Sequence, residues 1–214
     1  MRNGAVSDII MTVRDPVPIA NPNFAAVLLA GGRSTRMGRD KATLLIDGQP
    51  LWQRQLATLR ALHPAELFIS GRRDGPYAGA GVEIIEDAIP DLGPLGGIAA
   101  ALHHAESPLV LVLAIDLPAM TAEFLGTLLQ DARPTVPRRN NNFEPLAAIY
   151  PKSAHPIAEE LLREDDRSLQ RFVRRLIEDD LAQARSIVTE EWSLFRNVNH
   201  PATSCETDRV WFPP

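Results

Sequence analysis

Four basic side chains follow a glycine pair in the stretch LAGGRSTRMGRDK, residues 29–41. Glycines let the main chain turn sharply and let a ligand approach the backbone, and backbone N–H groups in such turns bind anions. Arginine suits bidentate contact with phosphate. The set comprises Gly31, Gly32, Arg33, Arg36, Arg39 and Lys41. It predicts a polyphosphate site, and a plain glycine turn with solvated arginines is the alternative.

The element before this loop is a short, fully apolar run, FAAVLLA, which is typical of a strand buried on both faces of a sheet. Similar runs predict further strands at ELFIS, VEIIED, PLVLVLAID and PLAAIY. Helical patterns begin at Pro50 and recur in GGIAAALHHA, TAEFLGTLLQ, HPIAEELL and RSLQRFVRRLIEDD. Thr121 is a candidate N-cap for the third of these helices.

Strands and helices alternate along the chain, which favours a mostly parallel sheet with helices on both faces. Ligands of such sheets bind beyond the carboxyl ends of the strands. Chemistry is therefore expected in the loops that follow Leu29, Ser70, Glu86 and Ile115. Asp116 is the most prominent polar residue among them, because it directly follows the most apolar strand.

Composition narrows the class of protein. With 214 residues, the chain suits one domain, predicted over 24–214 after a flexible extension at 1–23 that is rich in proline and asparagine. A net charge of −5 argues against nucleic acid or an anionic membrane as partner. The single cysteine, Cys205, fits a reducing compartment. Without an apolar run of membrane-spanning length or a signal-peptide core, a cytoplasmic location is expected.

The glycine loop matches neither G-x-x-x-x-G-K-[ST] nor G-x-G-x-x-G. It resembles the L-A-G-G-x-S-x-R-M-G-x-x-K signature of nucleotidyltransferases related to molybdenum cofactor guanylyltransferase, the MobA family. More blocks between residues 24 and 201 resemble that family, in its order: IDGQPLWQRQ, IIEDAIPDLGPLGGIAAAL, LVLAIDLPAM, EPLAAIY, RSLQRFVRRL and FRNVNHP.

The resemblance implies a Rossmann-like α/β fold, a three-layer sandwich with a mostly parallel sheet. It also implies a magnesium-dependent transfer of GMP from GTP to the terminal phosphate of a molybdopterin-type molybdenum cofactor, with release of pyrophosphate. Other proteins of molybdenum cofactor biosynthesis are expected partners. Two alternatives stay open: cytidylyl transfer or another phosphorylated acceptor on the same fold, and a nucleotide-binding regulator without turnover.

The resemblance assigns catalytic roles to three residues, Arg36, Lys41 and Asp116. Arg36 and Lys41 are expected to bind the triphosphate and to stabilise charge that develops on the α-phosphate. Asp116 is the expected first ligand of Mg²⁺, and Asn199, the second asparagine of N-V-N, is the other. A capping role for Asp116 and a turn-forming role for Asn199 are the structural alternatives.

The expected nucleotide contacts lie at the starts of several loops. Besides Arg36, Lys41 and Asp116 they are Leu29, Ala30, Gly31, Gly32, Ser70, Asp87, Gly93, Pro94, Leu95 and Gly97. Family members often carry asparagine at the position of Ser70. Asp87 has a loop-capping alternative, and the residues from Gly93 to Gly97 have the alternative of a plain turn at the start of a helix.

One residue bears on substrate choice, and two segments depart from the family pattern. Guanylyl enzymes resemble L-A-G-G at the glycine pair, whereas cytidylyl relatives tend to have L-A-A-G, so Gly31 predicts a preference for GTP. The family's Asp-Gly turn before P-x-x-A-x-Y is replaced by PRRNNNFEP, in the half that faces the pterin substrate. After N-V-N, the usual T-P-E-E-L is replaced by HPATSCETDRVWFPP.

Overall fold

The computed structural model describes residues 22–31, 41–77, 79–86, 92–164, 166–198 and 210–211. Its strands, in chain order, are β1 (Phe24–Leu29), β2 (Leu45–Ile46), β3 (Gln49–Pro50), β4 (Glu66–Ser70), β5 (Glu83–Ile85), β6 (Leu109–Ala114), β7 (Thr135–Arg139), β8 (Asn142–Phe143), β9 (Ala147–Pro151), β10 (Gln183–Ser186) and β11 (Val210–Trp211).

Its α-helices are α1 (Leu51–Arg60), α2 (Pro94–His104), α3 (Ala122–Leu129), α4 (His155–Leu162) and α5 (Leu169–Glu178). Short 3₁₀ segments occupy Lys41–Thr43, Lys152–Ala154 and Thr189–Phe195. Within the described residues, none of the helices is long and apolar enough to cross a membrane.

The central sheet has the strand order β5-β4-β1-β6-β9. The first four strands are parallel, and β9 runs antiparallel to β6. As a result, the start of β9 lies at the same edge of the sheet as the ends of β4, β1 and β6. Two small sheets accompany it, one with the order β10-β7-β8 and the other with the order β11-β2-β3.

Side chains of β1 alternate between two hydrophobic cores. Phe24, Ala26 and Leu28 pack with buried residues of α1 and α3, whereas Ala25 and Val27 pack with buried residues of α2, α4 and α5. All six residues of β1 are buried, as expected for a strand covered on both faces. This arrangement confirms the predicted α/β sandwich of three layers with a mostly parallel sheet.

The main strands and helices predicted from apolar patterns are present, with shifted ends. α2 begins at Pro94, two residues before the predicted glycines, because proline suits the first position of a helix. The Thr121 cap is confirmed: its side-chain oxygen accepts from the N–H of Phe124 (3.2 Å).

Several short strands escaped prediction. β7 (TVPRR) and β10 (QARS) lack a continuous apolar pattern, and β10 alternates between half-buried and exposed residues. The hairpin of β2 and β3 turns at Asp47 and Gly48, both with positive φ (54° and 78°), as a two-residue Asp-Gly turn requires. Residues 1–21 lie outside the described residues, so the boundary between extension and domain stays a prediction.

Candidate functional site

The carboxyl ends of β4, β1 and β6 meet at one edge of the central sheet. Leu29 pairs in register with Ser70 of β4 and with the last residue of β6. Main-chain pairing continues one residue further. The N–H of Ala30 donates to the Ser70 carbonyl (2.8 Å), and that of Ile115 donates to the Leu29 carbonyl (3.0 Å). The sheet therefore holds Asp116 just beyond its edge, beside the start of the glycine loop.

Aromatic side chains hold the start of the glycine loop in place. The hydroxyl of the buried Tyr77 donates to the carbonyl oxygen of Ala30 (3.2 Å), and its ring packs edge-on against Trp52. The φ of Gly31 lies outside the left-handed region. A Cβ atom at Gly31 would lie 3.7 Å from the Ser70 carbonyl oxygen, an ordinary contact. Among the described residues, neither the φ of Gly31 nor these neighbours require glycine at this position.

The turn that carries Asp116 is held from two sides. The N–H of Val198 donates to the carbonyl oxygen of Asp116 (3.0 Å). The side-chain amide of Gln55 in α1, which is fully buried, donates to the carbonyl oxygen of Leu117 (2.5 Å). These contacts fix the main chain directly after the Asp116 side chain, at the carbonyl groups of Asp116 and Leu117. Asn199 lies outside the described residues, but the residue before it is thus bonded to Asp116.

The start of α2 contributes main chain rather than side chains. Gly93 has φ 70° and ψ −167°, a conformation that essentially requires glycine. Leu95 and Gly97 are buried, and both lie inside the helix rather than in a loop. Any contact that they make with a nucleotide is therefore through the backbone. A helix amino terminus attracts anions, because its first N–H groups point out of the helix.

A small cleft of about 60 Å³ opens beside Asp116. Its lining comes from the turn after β6, the residues before β9 and the end of the last 3₁₀ segment. The lining residues are Asp116, Leu117, Glu144, Pro145, Leu146, Ala147, Phe195 and Asn197. Pockets that enclose a drug-sized ligand measure about 300–1,000 Å³. This cleft can therefore accept one edge of a ligand, whereas a whole nucleotide needs more space.

Glu144 is a second carboxylate in the cleft. Its side chain is about four-fifths buried, and one oxygen, Oε1, lies 3.3 Å from Nη2 of Arg139. Burial raises the pKa of Glu144 above its ordinary value, and the charge of Arg139 opposes that rise only in part. The cleft therefore presents a desolvated acceptor opposite the Asp116 turn.

The structure brings together four of the predicted positions that it describes. Ala30, Gly31, Ser70 and Asp116 share one edge of the central sheet. Ser70 and Leu29 are buried, so their side chains do not line an open surface. The remaining predicted positions lie outside the described residues: Gly32, Arg33, Arg36, Arg39, Asp87 and Asn199. For Lys41 the description covers the backbone, which begins a 3₁₀ segment.

Sequence reasoning did not single out three residues that the structure places here. Glu144 and Asn197 line the cleft, and Gln55 holds the Asp116 turn. Glu144 and Asn197 stand within the blocks EPLAAIY and FRNVNHP, so motif position was an available signal. Gln55 likewise ends the block IDGQPLWQRQ, but the block does not indicate its partner, which is 62 positions away in the sequence.

Comparison with known proteins agrees with this geometry. A family model described as the MobA-like NTP transferase domain matches residues 26–181. A curated relative from Opitutus terrae, named probable molybdenum cofactor guanylyltransferase, is 39% identical over 184 residues, which cover 83% of this chain and 91% of the relative.

Solved structures show the same fold. Molybdopterin-guanine dinucleotide biosynthesis protein A from Archaeoglobus fulgidus is similar with a TM-score of 0.67 at 24% identity, over 83% of this chain and 93% of that one. A 2-C-methyl-D-erythritol 4-phosphate cytidylyltransferase from Thermus thermophilus has a TM-score of 0.61 at 16% identity, over 82% and 92%. Since the fold serves more than one base and acceptor, the family match over residues 26–181 and the curated relative decide the assignment: this chain belongs to the MobA-like NTP transferase family.

Proposed function

We propose that this protein transfers GMP from GTP to the terminal phosphate of a molybdopterin-type molybdenum cofactor. In this reaction an acceptor phosphate oxygen forms a bond to the α-phosphorus, and the bond from that phosphorus to the bridging oxygen of the β-phosphate breaks. Pyrophosphate leaves. The observation that carries the proposal is the shared sheet edge, where Asp116 and the glycine loop stand on neighbouring strands.

Both reactants are anions, so alignment and charge neutralisation dominate the barrier. Arg36 and Lys41 neutralise the triphosphate. The main chain of Leu29, Ala30 and Gly31 and the start of α2 contact the nucleoside and phosphates. Gly32, Ser70 and Asp87 complete the nucleotide side of the proposed site. Little covalent chemistry is required of the protein in phosphoryl transfer.

Mg²⁺ is the proposed cofactor, and the described residues fit it. Asp116 supplies an anionic oxygen on a main chain that is held from two sides, and Mg²⁺ is usually bound by one or two protein groups together with phosphates. Asn199 is the proposed second ligand, since Val198 is already bonded to the Asp116 carbonyl. When bound, the ion neutralises phosphate charge and orients the two reactants.

Two rival functions remain distinct from this proposal. The likeness to the Thermus thermophilus cytidylyltransferase concerns the fold, and it keeps a cytidylyl enzyme as the second candidate. A regulator that binds nucleotide without turnover is the third candidate, and the presence of Arg36, Lys41 and Asp116 in one sequence disfavours it.

We also propose a cytoplasmic location, which the single cysteine supports. Other proteins of cofactor biosynthesis are proposed partners, and nucleic acid and membrane are not.

The test is pyrophosphate release from each nucleoside triphosphate, with Mg²⁺ and with molybdopterin or the molybdenum cofactor as acceptor. The expected result is acceptor-dependent release that is fastest with GTP. Faster release with CTP would replace guanylyl by cytidylyl transfer. Nucleotide binding without release from any triphosphate would instead indicate the regulator.

A further inference from the structure

Four consecutive residues, from the end of β8 to the residue before β9, are held in place by hydrogen bonds. We call residues 143–146 the acceptor-side segment. The side chain of Gln170 in α5 binds both main-chain groups of Phe143: Oε1 accepts from its N–H (3.0 Å) and Nε2 donates to its carbonyl (2.9 Å). The N–H of Glu144 donates to the carbonyl of Pro137 in β7 (2.8 Å).

The other half of the acceptor-side segment is fixed as firmly. The hydroxyl of Tyr150, a fully buried side chain, donates to the carbonyl of Pro145 (2.7 Å). The N–H of Ala114, the last residue of β6, donates to the carbonyl of Leu146 (2.8 Å). Partners from α5, β7, β9 and β6 thus hold four residues in a row. Groups that must meet a ligand in a set geometry gain from such support.

Sheet order places this segment on a particular side of Asp116. Along the edge, the loops after β4 and β1 lie on one side of β6, and the acceptor-side segment before β9 lies on the other. The glycine loop and the start of α2 belong to the first side, where we have proposed the nucleotide. The second partner of a transfer at Asp116 must approach from the remaining side, where Glu144 lines the cleft.

The chemistry of Glu144 indicates what it can bind. A carboxylate offers about four acceptor positions, and Arg139 contacts one of its oxygens. Burial raises the pKa of Glu144, because its carboxylate is partly shielded from water. Such a group favours a ligand with two adjacent N–H donors, since two parallel charge-assisted hydrogen bonds replace the lost hydration.

We propose that Glu144 binds the pterin ring of the acceptor, by accepting hydrogen bonds from the ring N–H and the neighbouring amino group of its 2-amino-4-oxopyrimidine edge. The inference rests on the proposed function. Guanine presents the same pair of donors, so both substrates of this reaction, GTP and the pterin acceptor, carry the group that Glu144 would bind. The position of Glu144 beyond β6 assigns the contact to the acceptor rather than to GTP.

The test is Glu144→Gln, an isosteric change that replaces one acceptor oxygen with a donor group. We expect KM for molybdopterin to rise about 10–100-fold, because a bidentate contact discriminates by about 1–3 kcal/mol. KM for GTP and kcat at saturating acceptor should stay near wild type. Glu160→Gln, at an exposed carboxylate on α4, is the matched control and should leave every constant unchanged.

A second experiment, with a nucleotide analogue, distinguishes a contact with the pterin from a contact with guanine. Inosine triphosphate lacks the 2-amino group, so if Glu144 contacted guanine, Glu144→Gln would reduce the preference for GTP over inosine triphosphate. That result, or an unchanged KM for molybdopterin, would overturn the inference. Glu144→Asp keeps the charge with a shorter reach and should raise KM less than Glu144→Gln, which tests the same contact if the first variant folds poorly. If the wild-type protein shows no acceptor-dependent turnover, the proposed function is overturned as well. If the wild type is active and Glu144→Gln has the same KM for molybdopterin, the inference alone is overturned.

Discussion

The two sides of the Asp116 turn are built in different ways. On the proposed nucleotide side, main-chain hydrogen bonds of parallel strands position Ala30 and Ser70, and one side chain, that of Tyr77, adds a bond to the Ala30 carbonyl. On the proposed acceptor side, the side chains of Gln170 and Tyr150 hold Phe143 and Pro145, and main-chain hydrogen bonds hold the other two residues of the segment 143–146. A backbone ladder tolerates many sequences, whereas side-chain supports depend on particular residues. Because we propose that the two sides bind different substrates, substitutions on the two sides should affect the kinetic constants of different substrates.

The largest expected effect lies between the two sides, at Asp116. Asp116→Asn should keep the fold and reduce turnover by at least about a hundredfold, because a bound metal supplies several kcal/mol of charge stabilisation. The measurement is pyrophosphate release across a range of Mg²⁺ concentrations. Asp131→Asn, at an exposed position after α3, is the control. A folded Asp116→Asn protein with wild-type turnover would remove Asp116 from the site.

On the nucleotide side, Lys41→Ala should weaken GTP binding about 10–100-fold, since hydrogen bonds to charged groups contribute about 1.5–3 kcal/mol. Binding of GDP should weaken less and that of guanosine least, because the lysine is proposed to contact phosphate. Calorimetric Kd values for the three ligands provide the measurement. Lys152→Ala, after β9 at the opposite edge of the sheet, is the control. Equal losses for all three ligands would mean that Lys41 has a structural role.

At the same side, Gly31→Ala should narrow the preference for GTP over CTP by up to about tenfold. One added methyl group discriminates by about 1–3 kcal/mol, and a tenfold change, about 1.4 kcal/mol, lies in the lower half of that range. The described neighbours accommodate this Cβ, as the 3.7 Å distance to the Ser70 carbonyl oxygen indicates. The loss should therefore arise from the base, and it is measured as kcat/KM for both nucleotides.

Gly126→Ala in α3 is the matched control, because a Cβ there also meets only an ordinary contact, 3.6 Å from Cδ2 of Leu62. An equal decline in kcat/KM for GTP and CTP in Gly31→Ala would contradict a role in base choice. A wild-type preference for CTP would contradict the guanylyl assignment itself.

The smallest effect, a change in Tm, is expected at the ion pair of Arg185 and Glu191, which precedes the cleft residue Phe195 in the chain. Glu191 accepts from both terminal nitrogens of Arg185 (3.3 and 2.7 Å) and from the N–H of Val188 (3.0 Å). This pair stabilises the 3₁₀ segment that ends at Phe195, a residue of the cleft. Glu191→Gln should lower Tm at pH 7 by about 2–4 °C, for a loss of about 1 kcal/mol in a partly exposed pair.

The pH dependence of that effect has a defined sign. Burial alone would raise the pKa of Glu191, but the hydrogen bonds from Arg185 and Val188 outweigh it and hold the pKa below the ordinary 4.5. The carboxylate therefore stabilises the fold above pH 4.5, and this contribution is lost as the pH falls through the lowered pKa. The Tm difference should shrink below pH 4.5. Glu190→Gln, at the exposed neighbouring position, is the control.

Sequence patterns predicted most of the central sheet for a physical reason. Strands β1 and β6 are apolar at nearly every position because both faces are covered, and this pattern is local. The glycine loop and Asp116 were predicted for the same reason, since each directly follows such a strand. The short strands β7 and β10 were not predicted, because polar residues at a small sheet have no distinctive periodicity.

By itself, the sequence determined the three-layer α/β class and the placement of Asp116 at a strand end, and it predicted a polyphosphate site at the glycine loop. Hydrophobic periodicity and backbone chemistry act over a few residues, so one chain suffices to recognise them. Only the tertiary structure decided that β9 runs antiparallel to β6, and therefore that Glu144 reaches the edge where Asp116 stands. It also decided that Gln55 and Val198 hold the Asp116 turn. Those contacts join residues about 60 to 80 positions apart, and their partners are set by how the helices and strands pack, which no local pattern encodes.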